Sequence, residues 1–139
     1  MRVEIAITEQ PIDLRRVLPA EFAGRVGAIA EFAGLVRDEE NGQRIAALEY
    51  EAYTPMTERV MRRIVEELGA SHPCLFVRVT HRVGVVPAGE AAIQVVAASA
   101  HRAEAIALVT HFMDRLKQDV PIWKRRALTA AELPVANPA

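Results

Sequence analysis

Of the 17 lysine and arginine residues in this 139-residue chain, only Lys117 and Lys124 are lysine, and they lie seven positions apart. Arginine stays protonated, whereas lysine can lose its proton and act as a nucleophile or proton carrier. In a chain so biased toward arginine, the two lysines are candidates for such work; ordinary surface lysines are the structural alternative. The second lysine sits in Ile122-Trp123-Lys124-Arg125-Arg126, directly after Pro121. On a regular strand Lys124 and Arg126 share one face, and Trp123 and Arg125 the other. If that strand packs back beside Lys117, two ammonium groups and a guanidinium crowd together, which would depress a lysine pKa and leave a neutral amine.

A second constellation lies upstream. Ser99 can cap a helix over about residues 100–118, which places His101 and Arg102 in its first turn. The helix dipole favours anions there, so cations at that end point to a bound phosphate or carboxylate. An exposed basic pair without a ligand is the bland alternative. Sixteen residues separate His101 from Lys117, and a rise of 1.5 Å per residue sets them about 24 Å apart. If both serve one small substrate, the site must be assembled from two copies of the chain. That predicts a homodimer with composite sites; two separate functions are the competing reading.

Other chemistry-bearing residues carry less. His81 alternates with Val77, Val79 and Val83, which reads as a hydrogen-bonded core histidine. His72 reads as loop surface and His111 has no ligand partner at i+4, so no metal site is expected. Glu49 and Glu51 share a strand face and read as solvated. Cys74 is the only cysteine, which excludes an intrachain disulfide and reads as a buried thiol. No glycine-rich phosphate loop or Ser-His-Asp arrangement is present.

The elements that must position these residues follow from local patterning. Val3–Thr8 reads as a strand and Ile12–Leu18 as a short helix between two prolines. Two extended runs, Val26–Arg37 and Ala46–Tyr53, flank Asn41-Gly42, a strong type I′ hairpin signal that sets Arg37 at the hairpin mouth. Thr54-Pro55 opens a helix whose apolar stripe runs through Met56, Val60, Ile64 and Leu68, widened by Met61 and Val65, with Gly69 placed to end it. Exposed i, i+4 pairs join Arg62 to Glu66 and Arg63 to Glu67. Leu75–Val83 alternates as a strand, PAGE turns the chain, and Ala91–Ala98 reads as a central strand. The long helix after Ser99 would bury Ile106, Val109, Met113 and Leu116 and stop at Pro121. Ile122–Leu128 forms a last strand, and 130–139 reads as a loosely ordered tail. Paired strands interrupted by two helices indicate an α+β fold in one domain over 1–139.

Composition bounds the function. A net charge of −1 argues against a general polyanion binder, and 5% aromatic residues without a basic-aromatic stretch argue against nucleic acid. No apolar run approaches the ~18 residues of a membrane span. The start, MRVEIAITEQ, alternates like a strand and lacks the marks of a signal peptide. These features set the expectation of a cytoplasmic protein without membrane contact.

Three segments, in order, carry a specific resemblance: EFAGLVRDEENGQRIAALEYEAYTPMTE, HRVGVVPAGEAAIQVVAASAHR and FMDRLKQDVPIWKRR. Together they span Glu31 to Arg126, and they resemble the large-subunit family of molybdopterin synthases. The resemblance implies an α/β hammerhead-type domain with antiparallel strands and two main helices. It implies a central homodimer within a heterotetramer, with a small ubiquitin-like sulfur carrier at each end. That carrier's C-terminal Gly-Gly thiocarboxylate would pass sulfur to cyclic pyranopterin monophosphate, forming the molybdopterin dithiolene of molybdenum cofactor biosynthesis, with no metal or cofactor held by this chain. Carried over by residue, Lys117 and Lys124 are the catalytic lysines. The substrate site maps onto Leu35, Val36, Arg37, His101, Arg102, Lys117, Lys124, Arg125 and Arg126, with Phe32 and Met113 as pocket walls. Arg126 stands where the family usually has glutamate, and LPVANPA where it commonly has a tail with glycine and tryptophan. A non-catalytic anion- or nucleotide-binding module, or a degenerate paralogue, is the alternative.

Overall fold

A computed structural model describes residues 1–15 and 18–134. Four strands form the larger sheet: β1 (Arg2–Thr8), β2 (Ala28–Leu35), and, from later in the chain, Phe76–Arg82 and Ala91–Ser99. Between them run the two-residue strands β3 (Glu39–Glu40) and β4 (Gln43–Arg44), then β5 (Ala47–Ala52) and helix α1 (Thr54–Ser71). The chain continues through β6 (Phe76–Arg82), β7 (Gly84–Pro87), β8 (Ala91–Ser99), α2 (Arg102–Asp119) and β9 (Ile122–Leu128). The larger sheet has the order β1-β6-β8-β2, and a three-stranded sheet has the order β7-β5-β9. This is an α+β fold, as the patterning indicates. One pairing departs from the antiparallel expectation: β1 runs parallel to β6.

β8 is buried at every position, which its near-continuous apolar sequence required. Val77 and Val79 of β6 and Val95 and Ala97 of β8 face both helices and make the main core with Met61, Ile64, Leu108 and Phe112. Helix α2 meets this core one step around from the expected stripe. Its buried residues are Ala105, Leu108, Val109 and Phe112, while Ile106 is 55% exposed. The stripe of α1 shifts likewise, with Met56 exposed and Thr57 buried beside Met61, Ile64 and Val65. Of its expected ion pairs, Arg63 reaches Glu67 at 3.9 Å, but Arg62 donates to the carbonyl of Val3. Cys74 is buried, and burial pushes its thiol up to about 11.

Several boundaries move for identifiable reasons. Residues 11–15 and 18–19 carry no regular structure, and a 3-10 turn over Ala20–Phe22 follows Pro19; the rest of the Ile12–Leu18 segment lies outside the described residues. Gly69 lies within α1, which ends at Ser71 because helix contacts outweigh one glycine. Asn41 and Gly42 adopt the positive φ of the expected turn, at 51° and 78°. Yet the hairpin they close is only β3 with β4, because β2 and β5 diverge into different sheets. Past β9, a capping box between Thr129 and Glu132 holds a 3-10 turn over Ala130–Glu132, so the start of the expected loose tail is ordered; residues 135–139 lie outside the described residues.

Candidate functional site

Both lysines come to one cleft. Lys117 lies in the last turn of α2, where a cation complements the dipole. Val120 N–H closes that turn on Leu116, and Pro121 forces the chain out of the helix into β9. The buried Thr57 hydroxyl lies 2.9 Å from the Tyr53 carbonyl and 3.1 Å from the Pro121 carbonyl, so α1 anchors the reversal. The resulting cleft, about 290 Å³, is lined by Tyr50, His81, Leu116, Lys117, Ile122, Trp123 and Lys124.

The strand carrying Lys124 is not regular. Tyr50 pairs with Lys124 and Glu49 with Arg126, so Arg125 is an extra residue in the ladder. Residues paired across a sheet point to the same side. Lys124 therefore shares the face of Tyr50, and Arg126 the opposite face with Glu49. The expected common face of Lys124 and Arg126 is overturned by this bulge. Arg126 donates to Glu49 at 3.0 Å and Arg125 lies 3.7 Å from the same carboxylate. Lys124 reaches Glu40, from the short hairpin, at 3.4 Å. Both arginines are thus drawn toward a carboxylate outside the lysine cleft, and Lys124 has an anionic neighbour that the sequence reading did not supply.

His81 is buried and hydrogen-bonded, as its place in an alternating strand indicates, with Nδ1 2.7 Å from the Arg82 carbonyl. Burial lowers its pKa, against the opposing pull of that hydrogen bond. Burial and the Glu40 charge raise the Tyr50 hydroxyl pKa. The sequence reading missed Tyr50, Glu40 and Thr57 as parts of this region. Tyr50 was readable only as an apolar-face residue, and the others act through contacts remote in sequence.

The opposite end of α2 has a different design. His101 is the N-cap, in extended geometry and without a side-chain cap. Ser99, the expected cap, instead donates its hydroxyl to the His101 carbonyl. Gly27, Ala28, Ala100, His101, Arg102 and Ala103 line an open recess of about 520 Å³. A Cβ at Gly27 would fall 2.2 Å from the Ala100 carbonyl, so only glycine allows this approach. His101 and Arg102 are exposed and have no ion-pair partner among the described residues.

The remaining expected site residues scatter. Leu35 is 54% exposed and Phe32 and Arg37 are exposed near the edge strand β2, while Met113 packs partly against the core. Val36 is 4% exposed among Ile45, Leu48, Val86 and Ala92, and its N–H and carbonyl bond to Glu90 and Gly89. Within one chain Val36 is thus a packing residue whose backbone groups are already paired. Among the described residues no group of three or more metal-ligating side chains forms, and no helix is long and apolar enough to cross a membrane.

A family model described as MoaE protein matches residues 7–119. The molybdopterin synthase catalytic subunit of Homo sapiens is 37% identical over 121 residues, 87% of this chain and 64% of that protein. The chain thus spans less than two thirds of the human relative's length. The corresponding Bacillus subtilis protein is 38% identical over 119 residues, 86% of this chain and 76% of its own length. Among solved structures, the molybdopterin biosynthesis MoaE protein from Burkholderia ambifaria superposes with a TM-score of 0.73 at 32% identity, covering 97% of this chain and 94% of that one.

Proposed function

The chain belongs to the MoaE protein family, and on that premise we propose that it is the catalytic subunit of a molybdopterin synthase, a cytoplasmic sulfurtransferase. It takes sulfur from the thiocarboxylated C-terminus of a small ubiquitin-like partner and transfers it to cyclic pyranopterin monophosphate, forming the molybdopterin dithiolene. The observation that carries this reading is the meeting of the chain's only two lysines in one cleft.

Each end of α2 has a part in it. A thiocarboxylate is an extended, anionic chain end, and the cleft offers it two ammonium groups beside the side chains of Tyr50 and Trp123. Charge-assisted hydrogen bonds from Lys117 and Lys124 hold the donor's terminus, and Lys117, the lysine without an ion pair among the described residues, is the one available for nucleophilic or proton-transfer work. Two carriers in turn each pass one sulfur to the pterin side chain, where it replaces a carbon-bound oxygen, one of them that of the cyclic phosphate ester. Water supplies the oxygen that restores each carrier's carboxylate. At the other end, free backbone N–H groups with His101 and Arg102 suit the substrate phosphate, with Arg37 as a further cation.

The two ends are about 24 Å apart along the helix, too far for one small substrate. The site is therefore built across a homodimer, with Lys117 and Lys124 from one protomer and His101 and Arg102 from its partner, in a heterotetramer with two carriers. An anion-binding module without catalysis is the second reading, favoured by the unpaired cations at the α2 N-terminus. Mixing the chain with thiocarboxylated carrier and cyclic pterin phosphate, then measuring product by mass spectrometry, separates the two. The enzyme forms dithiolene and the Lys117→Arg variant binds substrate but stops; a binding module forms none, with or without the change.

A further inference from the structure

His81 belongs to the lysine cleft without having a part in the reaction as proposed. It ends the β6 face that carries Val77 and Val79, beside the last turn of α2 and Tyr50 of the second sheet. Its ring is edge-on to Tyr50, with centroids 5.4 Å apart at 72°, and lines the same cleft as Lys117 and Lys124. A carbonyl oxygen only accepts hydrogen bonds, so the contact with Arg82 places the ring proton on Nδ1. The neutral ring then carries a lone pair on Nε2, for which no hydrogen bond is formed among the described residues. Although the ring is 5% exposed, Nε2 is not sealed in the core and is reached from the cleft that the two lysines share.

The groups around the ring decide what it can accept from. Tyr50 faces it from β5, Lys117 from α2 and Lys124 from β9, with Glu40 of β3 paired to Lys124 at 3.4 Å and Arg82 contributing its backbone carbonyl. The donors at hand are the two ammonium groups and the Tyr50 hydroxyl; Lys124 has already found a carboxylate, and Tyr50 meets the imidazole ring to ring. Resting on the lysine-cleft assignment above, we infer that His81 is a positioning residue of the reaction site, whose Nε2 accepts a hydrogen bond from the Lys117 ammonium and fixes where it meets the donor's anionic terminus. Protonation of the ring would remove that acceptor and set a third cation against two lysines. Burial works against that protonation.

The direct test is ring ¹⁵N NMR of His81 in the full chain, without substrate or carrier, for wild type, Lys117→Ala and Lys124→Ala. The expected result is a neutral Nδ1–H imidazole near pH 7 whose Nε2 resonance moves toward that of an unbonded acceptor in Lys117→Ala. An Nε2 resonance identical in wild type and Lys117→Ala overturns the inference, as does a response to Lys124→Ala alone. The measurement requires no turnover, so failure of the sulfur-transfer reading leaves it intact, and the reverse holds for the product assay. In turnover, His81→Gln lowers kcat about tenfold, as expected for a misplaced reacting group, and removes the acidic limb of the pH profile; a wild-type profile and kcat in a folded variant overturn the positioning role.

Discussion

The two ends of α2 present cations for opposite physical reasons. At the C-terminal end Lys117 sits with the dipole, so its position alone says nothing about function; what distinguishes it is a walled cleft shared with Lys124, Tyr50 and His81. At the N-terminal end His101 and Arg102 sit against the dipole, exposed and unpaired among the described residues, over a recess that Gly27 keeps open. A cation placed where the fold disfavours it points to a ligand by its position. A cation placed where the fold favours it must be judged by its neighbours.

Lys117→Ala should break the comparison most severely. It removes an exposed side chain without an ion pair, so stability should change by no more than about 0.5 kcal/mol, while product formation should fall about 10³-fold if the lysine is a proton-transfer or nucleophilic group. Thermal melts beside turnover assays read both. Arg102→Glu should act on the other end in a contrasting way. Loss of a charge-assisted phosphate contact is expected to raise KM for the pterin substrate roughly 10- to 100-fold. The new anion in the first helical turn should instead stabilise the fold by about 0.3–1 kcal/mol, an opposition that denaturant titration and kinetics together reveal.

Supporting residues sharpen the contrast. Gly27→Ala drives a methyl group against the Ala100 carbonyl, and Thr57→Val removes the hydroxyl beside the Pro121 carbonyl. Each is expected to cost about 1–3 kcal/mol. Gly27→Ala should weaken substrate binding and leave carrier binding unchanged; Thr57→Val should do the reverse. Calorimetric titration with each ligand separately checks this.

The smallest effect concerns pH. The His81 pKa is lowered in the folded chain by burial, so above about 6.5 the ring is neutral in both states and its stabilising contribution is fully present. As pH falls below that, the unfolded state binds the proton first and stability declines until the folded pKa is passed. His81→Gln should flatten stability between pH 6.5 and the lower folded value, measured by urea unfolding across that range.

Much of this arrangement is legible in the sequence, because local patterns carry it. β8 announces itself by its apolar run, the Asn41-Gly42 turn by residues that accept positive φ, and the end of α2 by Pro121. The scarcity of lysine singles out Lys117 and Lys124 on composition alone. Features set between distant segments are not legible. The bulge at Arg125 depends on how β9 registers against β5, and it reverses the face expected for Arg126. β7, four residues long, is hidden beside the turn before β8. The buried stripe of α2 differs by one step from the apolar pattern because Ile106 and Ala105 compete for the core, and the smaller residue fits the sheet. His81 is readable as a core residue, yet not as a wall of the cleft, since Tyr50 comes from another sheet.

The central claim, that the two ends of α2 serve one reaction across a dimer, is tested most directly by complementation. His101→Ala and Lys117→Ala chains are each assayed alone and then as purified mixed dimers with carrier and cyclic pterin phosphate. Composite sites predict that each variant alone is nearly inactive, while the mixed dimer recovers one of its two sites and about half of wild-type turnover, the arithmetic of one residue lost from each chain. A mixed dimer as inactive as its parents would contradict the claim and confine each site to a single chain.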